Sequence, residues 1–173
     1  MKIVCFHNLT DENEYLSNWY ASEFIVENQK YSSMEQFMMY QKAIYFNDRE
    51  VAKQIMETND PSRIKELGRQ VAGYNEIDWR GIRQIVVYEG LLAKFSQNEN
   101  LKDRLLSTED AVLAECSVKD KIWGIGLSMN NPDRFNKEKW QGQNLLGYTL
   151  MKVRDKLKLY FLGTGQTRGC LGN

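Results

Sequence analysis

The sequence has little of what disulfide scaffolds, metal sites and membrane proteins require. Among 173 residues there are three widely spaced cysteines, one histidine and two prolines. With no C-x-x-C pair and a single histidine, we expect neither a disulfide framework nor a zinc site, and we expect a reducing, cytoplasmic location. No apolar run approaches the roughly 20 residues that a membrane span needs, and nothing at the N-terminus resembles a signal peptide.

An excess of positive charge is also missing. Lysine and arginine together number 23, as do aspartate and glutamate, so the formal net charge is zero. A surface that holds nucleic acid by neutralising many phosphates is therefore not indicated. Any nucleic-acid substrate would have to be bound through a local site.

What the sequence does contain is the pattern of one globular domain rich in helices. Hydrophobic residues make up 42% of the chain, and no repeat or linker divides it. We predict a mainly α fold with a few short β-strands, as a single domain over residues 1–162 with a flexible glycine-rich tail at 163–173. A first strand at Lys2–Phe6 and a small hairpin at Phe24–Tyr31 precede the helices.

Capping residues locate the first helices. Ser32 and Glu35 fit a capping box that opens a helix running to about Phe46. Asp60 is placed to cap a short helix, and Gly68 is expected just past the end of that helix. Further helices follow, and the last one closes the fold.

Two charged residues interrupt the otherwise apolar first helix. Glu35 and Lys42 are seven residues apart, so two helical turns bring their side chains to the same face. Glu35 can be the acidic half of the capping box, and Lys42 can be a surface lysine whose stem covers apolar neighbours. If Met38 and Met39 bury them instead, a protonated carboxyl and a neutral amine result, as proton donation and nucleophilic attack require. The residues alone leave both alternatives open.

Each of the four tryptophans lies in a segment rich in asparagine, aspartate or glycine. Tryptophan offers a flat apolar face that suits stacking on a nucleobase, together with one hydrogen-bond donor. Core packing is the commoner role of a single tryptophan, and the neighbouring polar residues weigh against it here without excluding it. The residues concerned are Trp19, Trp79, Trp123 and Trp140, with Asn18, Asp120 and Asn144 close by.

Glycines mark two further candidate sites. In WGIG, predicted as part of a strand, Gly124 and Gly126 leave one strand face open to a ligand, although a bulge explains them equally well. Asp120, just upstream, is either a functional acid or a turn residue. Asn144 opens the last helix, where free amides suit a phosphate, although an N-cap is the commoner role of such an asparagine.

Taken in order along the chain, seven segments resemble the NADAR superfamily (NAD- and ADP-ribose-associated), also called YbiA-like or RibX-like N-glycosidases. They are YLSNWY, YSSMEQFMMYQKA, LGRQV with DWRGIR, LLAKFSQN, LLST, LAECSVKDKIWGIGL and WQGQNLLGYTLMKVRD. The resemblance extends from about Glu14 to Asp155 and implies one mainly helical domain that cleaves the N-glycosidic bond between a ribose and a base. Known members act on phosphorylated ribosylamino-pyrimidine intermediates of riboflavin synthesis, or remove ADP-ribose from guanine in nucleic acid.

The resemblance also implies roles for individual residues. Glu35 and Lys42 are implied as catalytic, with Asp120 as a supporting acid. Pocket positions are implied at Asn18, Trp19, Trp123, Gly124, Gly126 and Asn144, and further motif positions at Arg69, Trp79 and Arg83. No cofactor or metal ion is implied.

In the route that the resemblance implies, Lys42 attacks C1 of the opened ribose and forms a Schiff base that water later hydrolyses, while Glu35 protonates the leaving group or the ring oxygen. Three readings follow: removal of ADP-ribose from guanine-type acceptors, cleavage of ribosylamino-pyrimidine phosphates, or binding of ADP-ribose or NAD without catalysis. The expected partner is an ADP-ribosyl or ribosyl-phosphate small molecule, or an ADP-ribosylated nucleic acid, with no membrane and no obligate protein partner.

Overall fold

The computed structural model of the protein describes residues 2–7 and 11–165, which form a mainly helical domain with two small sheets. The prediction of a mainly α fold with a few short strands is confirmed. The helices are α1 (Met34–Tyr45), α2 (Arg49–Met56), α3 (Pro61–Arg69), α4 (Glu76–Gln97), α5 (Glu99–Leu106) and α6 (Leu145–Gly165). The strands are β1 (Ile3–Phe6), β2 (Ala21–Val26), β3 (Gln29–Ser33) and β4 (Val112–Glu115).

The predicted first strand and hairpin are both present. β1 pairs in parallel with β4, so that Phe6 lies opposite Glu115. β2 and β3 form an antiparallel hairpin whose two turn residues, Glu27 and Asn28, both have positive φ, as the twist of a tight hairpin favours. The chain runs directly from β3 into α1, which fixes the start of that helix against the hairpin.

The cap of α1 differs from the predicted one by one residue. Ser33, rather than Ser32, is the N-cap, and its hydroxyl accepts a hydrogen bond from the Gln36 N–H. The Gln36 side chain turns back and accepts from the Ser32 N–H at 2.8 Å. Gln36 therefore performs the capping function that the sequence pattern gave to Glu35, and the Glu35 carboxyl is left for another role.

Helix α3 starts as predicted at Asp60 but does not stop at Gly68. The helix continues through Arg69, so Gly68 lies inside it. A side chain at this position would overlap the sulfur of Met39 on α1. The glycine thus serves the close approach of α3 to α1 rather than ending the helix.

The segment KIWGIGL is not a strand, so that prediction is wrong. Residues 121–127 form turns, with Gly126 at φ +75° and the Gly124 N–H donating to the Asp120 carbonyl. A positive φ breaks the alternation of side chains on which a strand depends. Within this turn the Ile125 N–H donates to the Glu115 carbonyl at 2.8 Å, which ties the turn to the end of β4.

The core lies where α1, α4 and α6 pack together with the hairpin. Its largest fully buried side chains include Phe24, Tyr31, Phe37, Leu91 and Phe95. Helix α6 runs to Gly165, so residues 163–165 of the predicted tail are helical, and 166–173 lie outside the described residues. In the part of the chain that the structure describes, no helix combines the length and apolarity needed to span a membrane.

Candidate active site

A cavity of about 270 Å³ opens between α1, α3, the start of α4 and the loop that follows β4. Carboxylates, cationic side chains and aromatic rings are mixed on its walls. The lining residues are Asn18, Trp19, Glu35, Met38, Met39, Lys42, Lys65, Gly68, Arg69, Tyr74, Glu76, Trp79, Arg83, Glu115, Asp120, Ile122 and Trp123.

Most of the residues singled out from the sequence meet in this cavity. These residues come from segments that are far apart in the chain. They are Asn18, Trp19, Glu35, Lys42, Arg69, Trp79, Arg83, Asp120 and Trp123. The remaining three, Gly124, Gly126 and Asn144, do not line it.

Asn144 has a structural role in place of the predicted phosphate contact. Its completely buried amide accepts from the Glu115 N–H at 3.1 Å and donates to the Leu113 carbonyl at 2.8 Å, which holds the edge of β4 opposite β1. The first helical amides of α6, at Leu145 and Leu146, donate to carbonyls of the 121–127 turn. The amides of residues 144–146 are therefore already paired and not free for a phosphate.

Gly124 and Gly126 lie where backbone segments pack closely together, and neither lines the cavity. A side chain on Gly124 would meet the carbonyl oxygens of Asp120 and Glu115 at 2.8–2.9 Å. A side chain on Gly126 would meet Gln141 at 2.9 Å, and the φ of +75° would be strained for any residue that carries a side chain. The vacancy predicted on one strand face does not exist because the segment is not a strand.

Glu35 is a buried carboxyl on the first turn of α1. Only 3% of the residue is exposed, and its Oε1 is shielded from solvent and has no hydrogen-bond partner among the described residues. Burial raises the pKa of Glu35 to about 7, with Asp120 adding to the rise and Lys65, the Trp19 indole and Arg69 opposing it. Near neutral pH this carboxyl is poised to give up or accept a proton.

The position of Glu35 is fixed through the backbone of Asn18. The Glu35 N–H donates to the Asn18 carbonyl at 2.8 Å, which joins the start of α1 to the loop that carries Trp19. The side-chain oxygen of Asn18 is buried and has no partner in the described part of the chain. Because a buried polar atom normally finds a partner, this oxygen is available to a donor group on a ligand.

Lys42 lines the cavity two turns along α1 and is half-buried. Its Nζ donates to the Gly68 carbonyl at 2.7 Å and lies 4.0 Å from the centre of the Tyr74 ring. Burial lowers the pKa of Lys42, and the nearby Glu76 carboxylate partly opposes that effect. The amine is therefore easier to deprotonate than a surface lysine.

Arg83 supplies a buried cation on the wall formed by α4. Only 4% of it is exposed, and its Nη1 donates to Glu76 at 2.9 Å. The Nε of Arg83 is buried and unpaired within the described residues. A ligand oxygen in the cavity could accept from this group, as a phosphate or hydroxyl would.

The three tryptophans of the cavity differ in exposure. Trp79 is almost completely buried and belongs to the core, whereas Trp19 and Trp123 are half-buried and present ring area to the cavity. Lys65 lies 5.7 Å from the centre of the Trp19 ring. Trp140 lies outside the cavity, where its indole N–H donates to the Arg134 carbonyl at 2.9 Å.

Asp120 is both a turn residue and a cavity residue. Its Oδ1 accepts from the N–H groups of Ile122 and Trp123 at 3.1 and 2.9 Å, so this oxygen shapes the turn. The carboxylate nevertheless lines the cavity and raises the pKa of Glu35. The two roles proposed for Asp120 are thus compatible.

Three charged residues of the cavity, Lys65, Glu76 and Glu115, were not identified from the sequence. Glu115 follows three buried residues of β4, and Lys65 stands among charged residues of a short surface helix. For Glu115 the available signals were the apolar run VLA before it and its spacing to Asp120, but neither distinguishes a cavity carboxyl from a strand end. In the described residues no group of three or more His, Cys, Asp or Glu side chains could hold a metal ion.

Comparison with known proteins identifies the family of the chain. The model of the NADAR domain matches residues 5–158. An N-glycosidase of Acanthamoeba polyphaga mimivirus is 39% identical over 163 residues, which cover 90% of this chain and 96% of that protein. A riboflavin biosynthesis protein of Vibrio vulnificus is 29% identical over 155 residues, 90% of this chain but 38% of its own length.

A solved structure is similar as well. The NMR structure of the Escherichia coli protein YbiA aligns with a TM-score of 0.77 at 27% identity, covering 93% of this chain and 88% of that one. YbiA of Escherichia coli (strain K12) is itself named an N-glycosidase. The prediction of an enzyme that hydrolyses N-glycosyl compounds is confirmed by these relatives. The chain belongs to the NADAR domain family, among its N-glycosidases.

Proposed function

We propose that the cavity binds a ribose joined to a base, and that Glu35 and Lys42 together break the bond between them. The observation that carries this proposal is the placement of a proton-holding carboxyl and a lysine of lowered pKa on one face of α1 within one cavity. A pure binding module has no need of this pair, and relatives named N-glycosidases weigh further against that reading.

Lys42 acts as the nucleophile in the proposed reaction. Its neutral amine attacks C1 of the ribose and forms a Schiff base with the opened sugar, which water then hydrolyses. Glu35 supplies the proton that the leaving group or the ring oxygen needs. Since C1 gains cationic character as the bond breaks, the carboxylate of Asp120 adds electrostatic support.

The aromatic and cationic walls account for the rest of the substrate. Trp19 and Trp123 are placed to stack on the base. Phosphate is assigned to Lys65, Arg69 and Arg83, because the amides near Asn144 are already paired. With Glu115 largely protonated and Glu35 about half protonated near pH 7, the cations of the cavity outnumber its anions, which favours a phosphorylated ligand.

The substrate we propose is ADP-ribose attached to a guanine-type base, free or in nucleic acid. Arg69 is exposed and Lys65 half-buried on the same side of the cavity, so a diphosphate that extends outward meets two cations. A single modified base needs few phosphate contacts, which is compatible with the zero net charge.

A ribosylamino-pyrimidine phosphate is the second candidate. The cavity volume favours it, because about 270 Å³ is just below the roughly 300–1,000 Å³ of usual small-molecule sites and suits a compact substrate. The Vibrio vulnificus relative that is named for riboflavin biosynthesis adds to this case.

One experiment separates the candidates. The protein is incubated with an ADP-ribosylated guanine oligonucleotide and, separately, with a ribosylamino-pyrimidine phosphate, and the released sugar is identified by mass spectrometry. Release of ADP-ribose supports the first substrate, and release of ribose phosphate supports the second. Release from neither, with the Glu35→Gln variant indistinguishable from the unmodified protein, contradicts the proposed function.

A further inference from the structure

Glu115 is held in place more firmly than its position at the end of a short strand suggests. Its N–H donates to the Asn144 side chain at 3.1 Å, and its carbonyl accepts from Ile125 at 2.8 Å and from Ser117 at 3.0 Å. These bonds fix the backbone from α6 and from the following turn. The direction of the side chain is therefore set by the fold.

The carboxyl of Glu115 faces the cavity without a partner. The residue lines the cavity, and its Oε2 is shielded from solvent and lacks a hydrogen-bond partner among the described residues. A buried carboxylate in this state is costly, whereas a protonated carboxyl or one that meets a substrate group is not. The arrangement suits a group that carries a proton.

The charged groups around Glu115 come from three elements. Asp120 follows on the next turn, Glu35 lies on α1 and Lys65 on α3, and the Cys116 thiol lies on the side away from the cavity. Burial raises the pKa of Glu115 to about 8, with Asp120 and Glu35 adding to the rise and Lys65 opposing it. Near neutral pH, Glu115 keeps its proton while Glu35 has partly lost its own.

We propose that Glu115 is a further catalytic residue of this cavity, the acid that protonates the departing base. This inference rests on the proposed function. As the Lys42 nitrogen bonds to C1, the bond from C1 to the base nitrogen breaks, and its electron pair passes to that nitrogen, which takes the proton of Glu115. Glu35 donates its proton to the ring oxygen as the ring opens and takes up the proton that the Lys42 nitrogen loses. The Glu115 carboxylate later accepts a proton from the water that adds to C1, and the bond from C1 to Lys42 then breaks, which releases the sugar and restores the three residues.

The test compares Glu115→Gln and Glu115→Asp with the unmodified enzyme. Gln matches the neutral carboxyl in shape but has no acidic proton, so kcat should fall about 100-fold or more, while Asp should recover part of it. On the alkaline side of the pH profile, kcat should fall through two ionisations in the unmodified enzyme and through one in Glu115→Gln. Glu89→Gln, on the exposed side of α4, is the control and should leave the profile unchanged.

Infrared difference spectra test the proton directly, without turnover. The spectrum of the unmodified protein minus that of Glu115→Gln at pH 7 should show a protonated carboxyl band that disappears as the pH is raised past 8. A Glu115 that is ionised at pH 7, or a Glu115→Gln enzyme with kcat within twofold of normal, overturns the inference. Should Glu115→Gln fail to fold, Glu115→Met, which also lacks an acidic proton, provides the same two comparisons.

Failure of the proposed function looks different. If the unmodified protein turns over neither the ADP-ribosylated guanine nor the ribosylamino-pyrimidine phosphate, the proposed function fails. A protonated Glu115 in the infrared spectrum would then show that the cavity holds a protonated acid but does not catalyse the proposed reaction. If the unmodified protein is active and Glu115→Gln is equally so, the proposed function stands and Glu115 is not its acid.

Discussion

Lys94 donates a hydrogen bond from its Nζ to the Tyr15 carbonyl at 2.7 Å, from a completely buried position on α4. A second contact reaches the Ser17 carbonyl at 3.4 Å. These carbonyls belong to the short segment that leads directly into Asn18 and Trp19, so the buried lysine holds the loop that forms one wall of the cavity.

We therefore predict that Lys94→Met disturbs the cavity from a distance. Loss of the donor leaves the Tyr15 carbonyl unpaired and the Ser17 carbonyl with only the Tyr20 N–H at 3.3 Å. Ligand affinity should therefore fall several-fold, and the fluorescence of Trp19 should change. Lys53→Met, on the exposed side of α2, is the control and should alter neither quantity. Unchanged affinity in Lys94→Met would contradict the positioning role.

The pH dependence of Lys94→Met follows from the same burial. Desolvation lowers the pKa of Lys94 to about 7, below the value near 10.4 of an unfolded lysine. Between these values the unfolded chain binds more protons than the folded one, so the unmodified protein should gain stability as the pH rises from 7 to 10. Lys94→Met should lack this gain, which chemical denaturation at the two pH values measures.

Glu35→Gln should remove most turnover and yet stabilise the fold at alkaline pH. The pKa of Glu35 rises from about 4.5 unfolded to about 7 folded, so ionisation costs the folded state stability as the pH rises through this window. Glutamine escapes that cost, and Glu35→Gln should be more stable than the unmodified protein by about 2–3 kcal/mol above pH 8. Thermal unfolding at pH 5 and pH 8.5 measures the difference. A loss of activity matched by unfolding would assign Glu35 a structural role instead.

Stacking on the base should be visible in tryptophan fluorescence. Ligand should quench the emission, and Trp19→Ala or Trp123→Ala should weaken binding by about 1–3 kcal/mol, as for base–aromatic stacking elsewhere. Trp140→Phe is the matched control, because Trp140 lies outside the cavity and should leave affinity unchanged. Equal affinity in all three variants would mean that none of these rings touches the base.

Much of this architecture could be predicted from the sequence because local signals determine it. Asp60 and the spacing of Glu35 and Lys42 follow from rules within one helix, and each lies where these rules place it. The choice between adjacent serines at the start of α1 could not be made, because it depends on the Gln36 side chain and its contacts with the carbonyls of Ile55 and Thr58.

The site was harder to predict wherever tertiary contacts decide. Gly124 looked like a vacancy for a ligand, but the vacancy is filled by carbonyls of Asp120 and Glu115. Asn144 looked like a helix cap or a phosphate contact, and it instead joins α6 to β4. The local signals at Glu115 did not separate a cavity carboxyl from a strand end, since its place in the cavity arises only when β4, α1 and the following turn come together.

The central claim is that Lys42 forms a covalent bond with the sugar. Its amine is positioned by the Gly68 carbonyl. The backbones of Lys42 and Glu35 are about 10 Å apart along the axis of α1, a gap that two long side chains can close around a ribose. Lys42→Arg keeps the charge and should bind ligand without turning it over, which makes it the matched control.

The most direct measurement is borohydride trapping during turnover, followed by mass spectrometry and peptide mapping. Borohydride reduces a Schiff base to a stable secondary amine, so the active enzyme should gain the mass of the sugar-bearing fragment on Lys42, and Lys42→Arg should gain none. An active enzyme that yields no adduct, together with near-normal rates in Lys42→Arg, would contradict the covalent route and leave Lys42 as a residue that only positions the substrate.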